Sequence, residues 1–548
     1  MILRLINFRK VSILLLIIPV FVFADAKSEL IAFWQSVKAE TQSSGQAIHC
    51  GFIDQMHLRE LILNSGPEIK SLAKTSKLFE RPSRQDSALS PAGHFRLFFD
   101  RTGAHAVPEE DIENNGIPDY IDSAGVYLDK SWDVEINQLG FKPPPGDDGN
   151  PVKVYRVYFT DFITDYGENY YGLTTPEKIV EYYGVTKTAN TSYMELHKDY
   201  ESNAFYSKGL EGLKVTAAHE FNHAIQLGYT AYWTGGYSYN FENVFFMEMT
   251  STWLEDYVFD EVNDYVFYLN SFFNYLFSIS FTSTSGFNPY ANCLYLHMLE
   301  KQYGSDIVVD IWDRIIEENA FDAIEGELEF RNSSFAESQN KYAGWLYFTG
   351  SRSNSDLYFP EGSTYPELNP NTGMDALNLG LNSLTVRLIE LAPSFNGLAR
   401  AKVSGSGGGK FSHIIHHQQL TQPVDFGRDD IITLNNNDSV IVVLSNPGEF
   451  SVRDLQYSVE PDKIRSGPIP VFAKTGSSRI EFLNMPVNGV IRIYNILGQK
   501  IITLRNGAEN HIQWNLKDSS NQYVPSGRYI FYVKATGYEY AGKLTVLR

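Results

Sequence analysis

The sequence predicts a multidomain chain in which an α+β domain is followed by two all-β sandwiches. Three observations predict it. One His-Glu-x-x-His lies on helix-forming sequence, between strand-like runs and further helices. Pro, Gly, Asn and Ser crowd residues 353–373 and again 461–470, marking two boundaries. After each boundary come short β-branched runs separated by turns, the texture of a sandwich. The division that follows is 1–26, 27–90, 91–352, 353–465 and 466–548.

Residues 1–26 read as an export signal, with Arg4, Arg9 and Lys10 ahead of the apolar run Val11–Phe23. Small-residue cleavage sites follow at Ala24 or Ala26. That run is too short to be a comfortable membrane span, and the later aromatic stretch Phe267–Phe281 is broken by polar residues. The expectation is a secreted or cell-surface chain with no integral membrane segment after signal removal. A formal net charge of −20 argues against nucleic acid and against anionic membrane surfaces.

Residues 27–90 are in part helical and amphipathic. They read either as a leader that is removed, like a propeptide, or as an N-terminal cap that stays with the next domain. The two cysteines are Cys50 and Cys293. In an exported chain three arrangements are open: a disulfide between them, two unpaired thiols, or Cys50 capping a metal ion as a thiolate that keeps a precursor inactive.

Strands are expected at His94–Asp100 and Val152–Phe159, where aromatic and β-branched residues alternate. Between them, Asp111, Glu113, Asn115, Ile117, Asp119 and Asp122 have the spacing of a calcium loop, with Gly116 at its turn. Glu113 and Asp122 depart from the usual residues at their positions. The alternative is a tight Asn-Gly turn whose acids face water.

The segment from Leu213 to Gly228 reads as a helix running into a glycine stop. His219 and His223, four apart, share a face and can send both imidazoles to one ion. Glu220 stands beside them to take a proton from a water that the metal activates. Hydrolytic zinc sites use three protein ligands and leave the fourth position to water, so a third ligand must come from elsewhere. The apolar segment Glu242–Asp256, free of internal Gly and Pro, favours a second helix. Glu248, Thr252 and Glu255 fall on one of its faces. A further helix is expected over Asn288–Gly304, opened by Tyr290, with His297 a packed residue. Past the first boundary His413, His416 and His417 read as surface strand residues rather than a metal site.

The pattern Phe245-x-x-Glu248, then small residues, then Trp253-x-Glu255, resembles the second zinc-binding helix of the gluzincin metallopeptidases. Residues 91–352 are similar to bacterial gluzincin-type peptidases in Ser90–Arg96, Asn115–Tyr120, Ala217–Gln226 and Glu248–Asp256. The resemblance implies a zincin-like fold, zinc, and Glu248 as third ligand. It also implies that Thr252 supports a ligand from behind, where an aspartate is usual, and leaves Glu255 as the fallback ligand. Tyr290 takes the place of the Tyr or His that such sites bring from a later helix to stabilise an oxyanion. Residues 466–548 resemble the sorting domain of the type IX secretion system of Bacteroidetes-like bacteria, and the immunoglobulin-like domain of the flagellar hook-capping protein. The matching features are Ile493–Lys500, Trp514, Pro525–Tyr529 and Gly542–Arg548. This implies a Gram-negative cell, partnership with that secretion machinery, and two immunoglobulin-like sandwiches at the C-terminal end.

The expectation is a secreted zinc endopeptidase acting on protein or peptide, with a zinc-activated water and Glu220 as general base. An alternative of another class is a surface adhesin built on a non-catalytic peptidase-like scaffold. A third keeps zinc but cleaves something other than peptides.

Overall fold

The structure is a computed structural model. It describes residues 26–39, 48–76, 79–230, 242–372, 379–392, 397–404, 409–416, 424–425, 429–434, 438–461, 469–472, 479–483, 485–486, 488–506, 511–535 and 538–546. The expected export signal through residue 25, His417 and most of the 461–470 linker lie outside them. The chain is multidomain, with a helical region and several sheets. It divides into two compact units: Met1–Tyr275 with Phe281–Phe335 and Ser355–Pro366, and Leu276–Ser280 with Ala336–Asn354 and Glu367–Arg548.

In the first unit the elements run α1 (Ala26–Ala39), β1 (Ile48–Cys50), α2 (Phe52–Asn64), α3 (Pro67–Ser76), β2 (Asp86–Leu89), β3 (Phe95–Phe99) and α4 (Asp119–Trp132). A π-helical stretch, Asp133–Gln138, extends α4. Then come β4 (Tyr155–Thr160), α5 (Phe162–Tyr166), β5 (Tyr170–Tyr182), β6 (Thr186–His197), α6 (Gly209–Tyr229) and α7 (Val244–Val258). The helices α8 (Val266–Tyr275), α9 (Asn288–Ala291), α10 (Cys293–Tyr303), α11 (Asp306–Ile315) and α12 (Ala320–Phe330) follow, and of α13 (Phe335–Tyr347) only Phe335 falls in this unit. The six-stranded sheet has the order β1-β5-β6-β4-β3-β2. Here β3, β4 and β6 are parallel, while β5 runs antiparallel to β6.

The region 27–90, expected as a leader or a cap, contributes strands to this sheet. Its strand β1 pairs parallel with β5, Ile48 opposite Tyr170 and Cys50 opposite Gly172. Its helices bury Leu30, Trp34, Leu58 and Ile62 in a small core that Phe79 and Tyr166 cover.

Helix α6 packs on β6, β5, α4 and α7. Its residues from Gly212 to Tyr229 are almost all buried, so this helix is the centre of the unit rather than an amphipathic surface helix. The expected glycine stop is not one. The helix runs through Gly228 to Tyr229, and a Cβ at Gly228 would sit 3.1 Å from Pro145 Cδ. Gly228 makes room for a neighbouring loop. The helix expected over 288–304 is broken at Asn292 into α9 and α10.

The second unit holds β7 (Asn371–Thr372), β8 (Leu379–Leu381), β9 (Val386–Leu391), β10 (Gly397–Ser404), β11 (Lys410–His416), β12 (Val424–Asp425), β13 (Asp429–Leu434), β14 (Ser439–Ser445) and β15 (Val452–Pro461). They form sheets β13-β10-β15-β8 and β12-β11-β14-β9-β7 around one core that includes Ala399, Phe411, Val442 and Tyr457. From Ala336 onward α13 belongs with this unit, where Asn340 Nδ2 donates to the Val443 carbonyl and to Ser445 Oγ.

Strands β16 (Ile469–Phe472), β17 (Ile480–Leu483), β18 (Val490–Asn495), β19 (Lys500–Arg505), β20 (His511–Trp514), β21 (Gly527–Ala535) and β22 (Tyr538–Val546) follow. Their sheets, β16-β17-β20 and β19-β18-β21-β22, share a core around Phe482, Trp514 and Phe531. Among the described residues no helix is long and apolar enough to cross a membrane.

Candidate metal centre

The spacing of four on α6 places His219 and His223 one turn apart, with their Nε2 atoms 3.1 Å from each other. What lies behind each ring sets what faces forward. His219 Nδ1 is 2.6 Å from Glu255 Oε1, and His223 Nδ1 is 2.8 Å from Gln226 Oε1. Both partners are acceptor oxygens, so each Nδ1 carries a proton, and a ring in its neutral form would turn its Nε2 lone pair inward. Glu248, one turn before Thr252 on α7, brings its Oε2 to 3.2 Å from His219 Nε2 and 3.5 Å from His223 Nε2. The fourth group comes from the N-terminal strand β1: Cys50 Sγ is 3.4 Å from His223 Nε2. One ligand atom from each of Cys50, His219, His223 and Glu248 fits within 4.8 Å of the others, and none of the four residues is more than 1% exposed.

Lone pairs facing lone pairs repel unless something positive lies between them. Both carboxylate oxygens of Glu248 and Oε1 of Glu220 are buried without a hydrogen-bond partner, an arrangement that costs free energy if nothing compensates it. A proton is one compensation. Burial works against a charged His219, yet Glu248 and Glu255 outweigh it and hold its pKa up at about 10. Burial likewise works against ionised Glu248, but His223 and His219 bring it down to about 2. Burial pushes the Cys50 thiol well above its ordinary value, and the charges of Glu220 and Glu248 add to this.

A divalent cation is the other compensation, and it inverts that local charge logic. Tetrahedral zinc, with bonds of about 2.0–2.3 Å, sets its N, O and S ligand atoms about 3.3–3.6 Å apart. The separations of 3.5 and 3.4 Å match that figure, and those of 3.1 and 3.2 Å fall slightly short of it, so the groups need move little to close on one ion. The donor set of two imidazoles, a carboxylate and a thiol is one that zinc accepts, as do other divalent first-row metals.

Glu220 lies on the same helix beside the two histidines. Thr174 Oγ1 is 2.7 Å from its Oε2 and 2.9 Å from its carbonyl oxygen. The approach of α6 to β5 depends on Gly172, where a Cβ would sit 2.5 Å from Glu220 Cγ and 2.6 Å from Thr216 Cγ2. Glu255 stands behind His219 rather than in the ligand group, and so is not the fallback ligand. Thr252 supports no ligand side chain; its hydroxyl donates to the Glu248 carbonyl 2.9 Å away, within the helix. Asn222 bridges the back of the site to buried Glu135, whose carboxyl burial raises well above its ordinary range. The Tyr290 ring lies 6.2 Å from that of His219, and burial followed by the charges of Glu248 and Cys50 raises its phenol.

The acidic loop lies apart from this centre. Asp111 accepts from the backbone N–H of Asn115 and Gly116 at 3.1 and 3.0 Å, and Asp119 accepts from Ile112. Asn115 donates to Asp122 at 2.8 Å, Arg101 donates to the Gly116 carbonyl at 2.7 Å, and the backbone of Asn114 and Gly116 is left-handed. Glu113 and Ile117 are exposed and half-buried beside them; the loop's carboxylates thus already serve as acceptors for its own turn. His413 and His416 lie on β11. Cys50 and Cys293 are both free and buried, which sets the disulfide arrangement aside.

The partners that sequence reasoning missed are Thr174, Gly172 and Gln226. Gln226 alone carries a local signal, three residues after His223 on one helix.

The family model described as "Family of unknown function (DUF6055)" matches residues 206–344. That span holds His219, Glu220, His223, Glu248, Glu255 and Tyr290 but not Cys50. No curated protein matches the chain at a significant level. Solved structures similar to parts of it include PorZ, an essential bacterial surface component of the type-IX secretion system of Porphyromonas gingivalis (13% identity, 17% of this chain and 14% of that one, TM-score 0.14). Dimeric latent PorU from the same organism is another (15% identity, 32% of this chain and 19% of that one, TM-score 0.15). A third is Legionella pneumophila aminopeptidase A in complex with aspartic acid (10% identity, 68% of this chain and 36% of that one, TM-score 0.26). The chain spans no more than 36% of the length of any of these three.

Proposed function

We propose that the chain is a zinc-dependent peptide hydrolase with a zincin-like catalytic domain, its ion held by His219, His223 and Glu248. The observation that carries this is the inward convergence of two imidazole lone pairs and a buried carboxylate otherwise lacking a hydrogen-bond partner, each ring fixed from behind by an acceptor oxygen. Bound there, zinc would polarise a scissile carbonyl and bring the pKa of a water to about 7. Glu220 is the proton carrier. Thr174 fixes its Oε2, leaving Oε1 to take a proton and later return it to the leaving amine. Tyr290, kept protonated by burial, is the donor for oxygen that gains negative charge.

The test is metal analysis joined to digestion of denatured protein. The expected result is one zinc per chain, lost in His223→Ala and kept in Glu220→Ala, with the cleavage shown by the protein freed of residues 27–90 abolished in both. A folded chain carrying almost no zinc would favour the adhesin instead. In the same reading residues 466–548 form an immunoglobulin-like module addressed to type IX export, and their removal should leave the protein inside the cell. Loop 111–122 keeps a structural calcium role, tested by a calcium-dependent rise in melting temperature.

A further inference from the structure

We propose that Cys50 is a fourth protein ligand to the ion, so that the chain with its leader in place is a latent form whose site opens only when the leader strand is withdrawn. The proposal rests on the metal reading above.

A buried thiol beside two imidazoles is not by itself a ligand; three further observations make it one. First, its Sγ stands 3.4 Å from His223 Nε2, in a cluster whose ligand atoms all lie within 4.8 Å of one another, close enough to share one ion. The Glu248 carboxylate aimed into that cluster is fully buried and lacks a hydrogen-bond partner. Second, the sulfur is held in place by the backbone, accepting the Phe52 N–H at 3.3 Å. Third, the segment carrying it is held along the site. Gly51 N–H donates to the Gly172 carbonyl at 3.0 Å, on the strand that Glu220 touches. The Phe52 ring stacks on His223 with centroids 4.6 Å apart at 17°. Farther along α2, Gln55 donates to Thr175 Oγ1 at 2.7 Å and Asp54 accepts from the Tyr170 hydroxyl at 2.9 Å.

The consequence follows from occupancy. A hydrolytic zinc site needs an open fourth position, and a closed four-ligand site is structural or silent. With Cys50 in place the site has four protein groups, and its residues are at most 1% exposed. The leader also covers the edge of β5, where an extended peptide would add as a strand. On binding, the thiol gives its proton to solvent. On withdrawal it recovers one.

Cobalt in place of zinc distinguishes this from the metal reading. In the full chain bearing Cys293→Ala, Cys50 is the only thiol left, so a near-ultraviolet sulfur-to-cobalt charge-transfer band reports its ligation. The expected result is one cobalt per chain with the band present. In Cys50→Ser in that background the band is lost, the cobalt is retained, and casein is digested without prior cleavage of the leader. One cobalt with no band overturns the latch and leaves the metal reading standing. No cobalt at all sinks both. Should Cys50→Ser fail to fold, the band in the Cys293→Ala chain alone decides.

Discussion

Glu255 Oε1 lies 2.6 Å from His219 Nδ1, on the far side of the ring from Glu248. The two glutamates of α7 therefore do different work on one imidazole: one orients it, the other shares its target. Removing the orienting carboxylate should weaken the metal without abolishing it. Glu255→Gln is expected to lower zinc affinity by about 10- to 100-fold, the usual effect of losing a partner behind a histidine ligand. Glu248→Ala should leave no stoichiometric zinc. A competitive chelator titration measures both, and equal losses in the two variants would contradict the division of roles.

Thr174 donates a hydrogen bond to the Glu220 carboxylate from a strand rather than from the motif's own helix. Thr174→Val keeps the shape of the side chain and removes the hydroxyl. It should lower kcat by roughly 10- to 100-fold, through a misplaced proton carrier, while KM and zinc content stay near wild type. A rise in KM at unchanged kcat would place Thr174 in substrate binding instead.

How much of this was legible follows from how local each contact is. His219, Glu220 and His223 are set by one helix period; spacing put Glu248 and Glu255 on one face of a second helix, and the resemblance singled out Glu248 as ligand. Cys50 is different. It reaches the site because a three-residue strand joins the edge of β5, pairing residues about 120 positions apart, and a strand that short has no readable alternation. Thr174 and Gly172 were hidden for the same reason, since strand-to-helix contacts leave no mark on local periodicity. Gly228 misled because a glycine inside a helix can serve a neighbour's packing as well as a stop.

Gly172 should not tolerate a side chain. Its added Cβ would fall 2.5 Å from Glu220 Cγ and 2.6 Å from Thr216 Cγ2, two buried residues of a helix packed from several sides. Neither atom can retreat without moving α6 off the sheet. Gly172→Ala is expected to cost about 1–3 kcal/mol, the range for overpacking, read as a lower melting temperature together with weakened zinc binding. A variant as stable as wild type would mean that the helix yields easily at this point.

Asp256, the residue after Glu255, turns away from the metal centre into a cluster with Asp260 and Glu361. Burial, reinforced by the charges of Glu361 and Asp260, raises its pKa to about 9. The nearest histidine gives no compensating charge: His297 Nε2 is 3.7 Å away, and burial lowers that imidazole to about 4. In the unfolded chain an aspartate titrates near 3.9, at about its ordinary value. Between about pH 4 and 9 the folded state therefore binds the extra proton. The stability it contributes is complete below pH 4 and drains away as the pH climbs toward 9. Asp256→Asn carries no such proton. Its melting temperature should match wild type near pH 4 and exceed it by a growing margin up to pH 9, so a pH-independent difference between the two proteins would show that Asp256 is ionised in the folded chain.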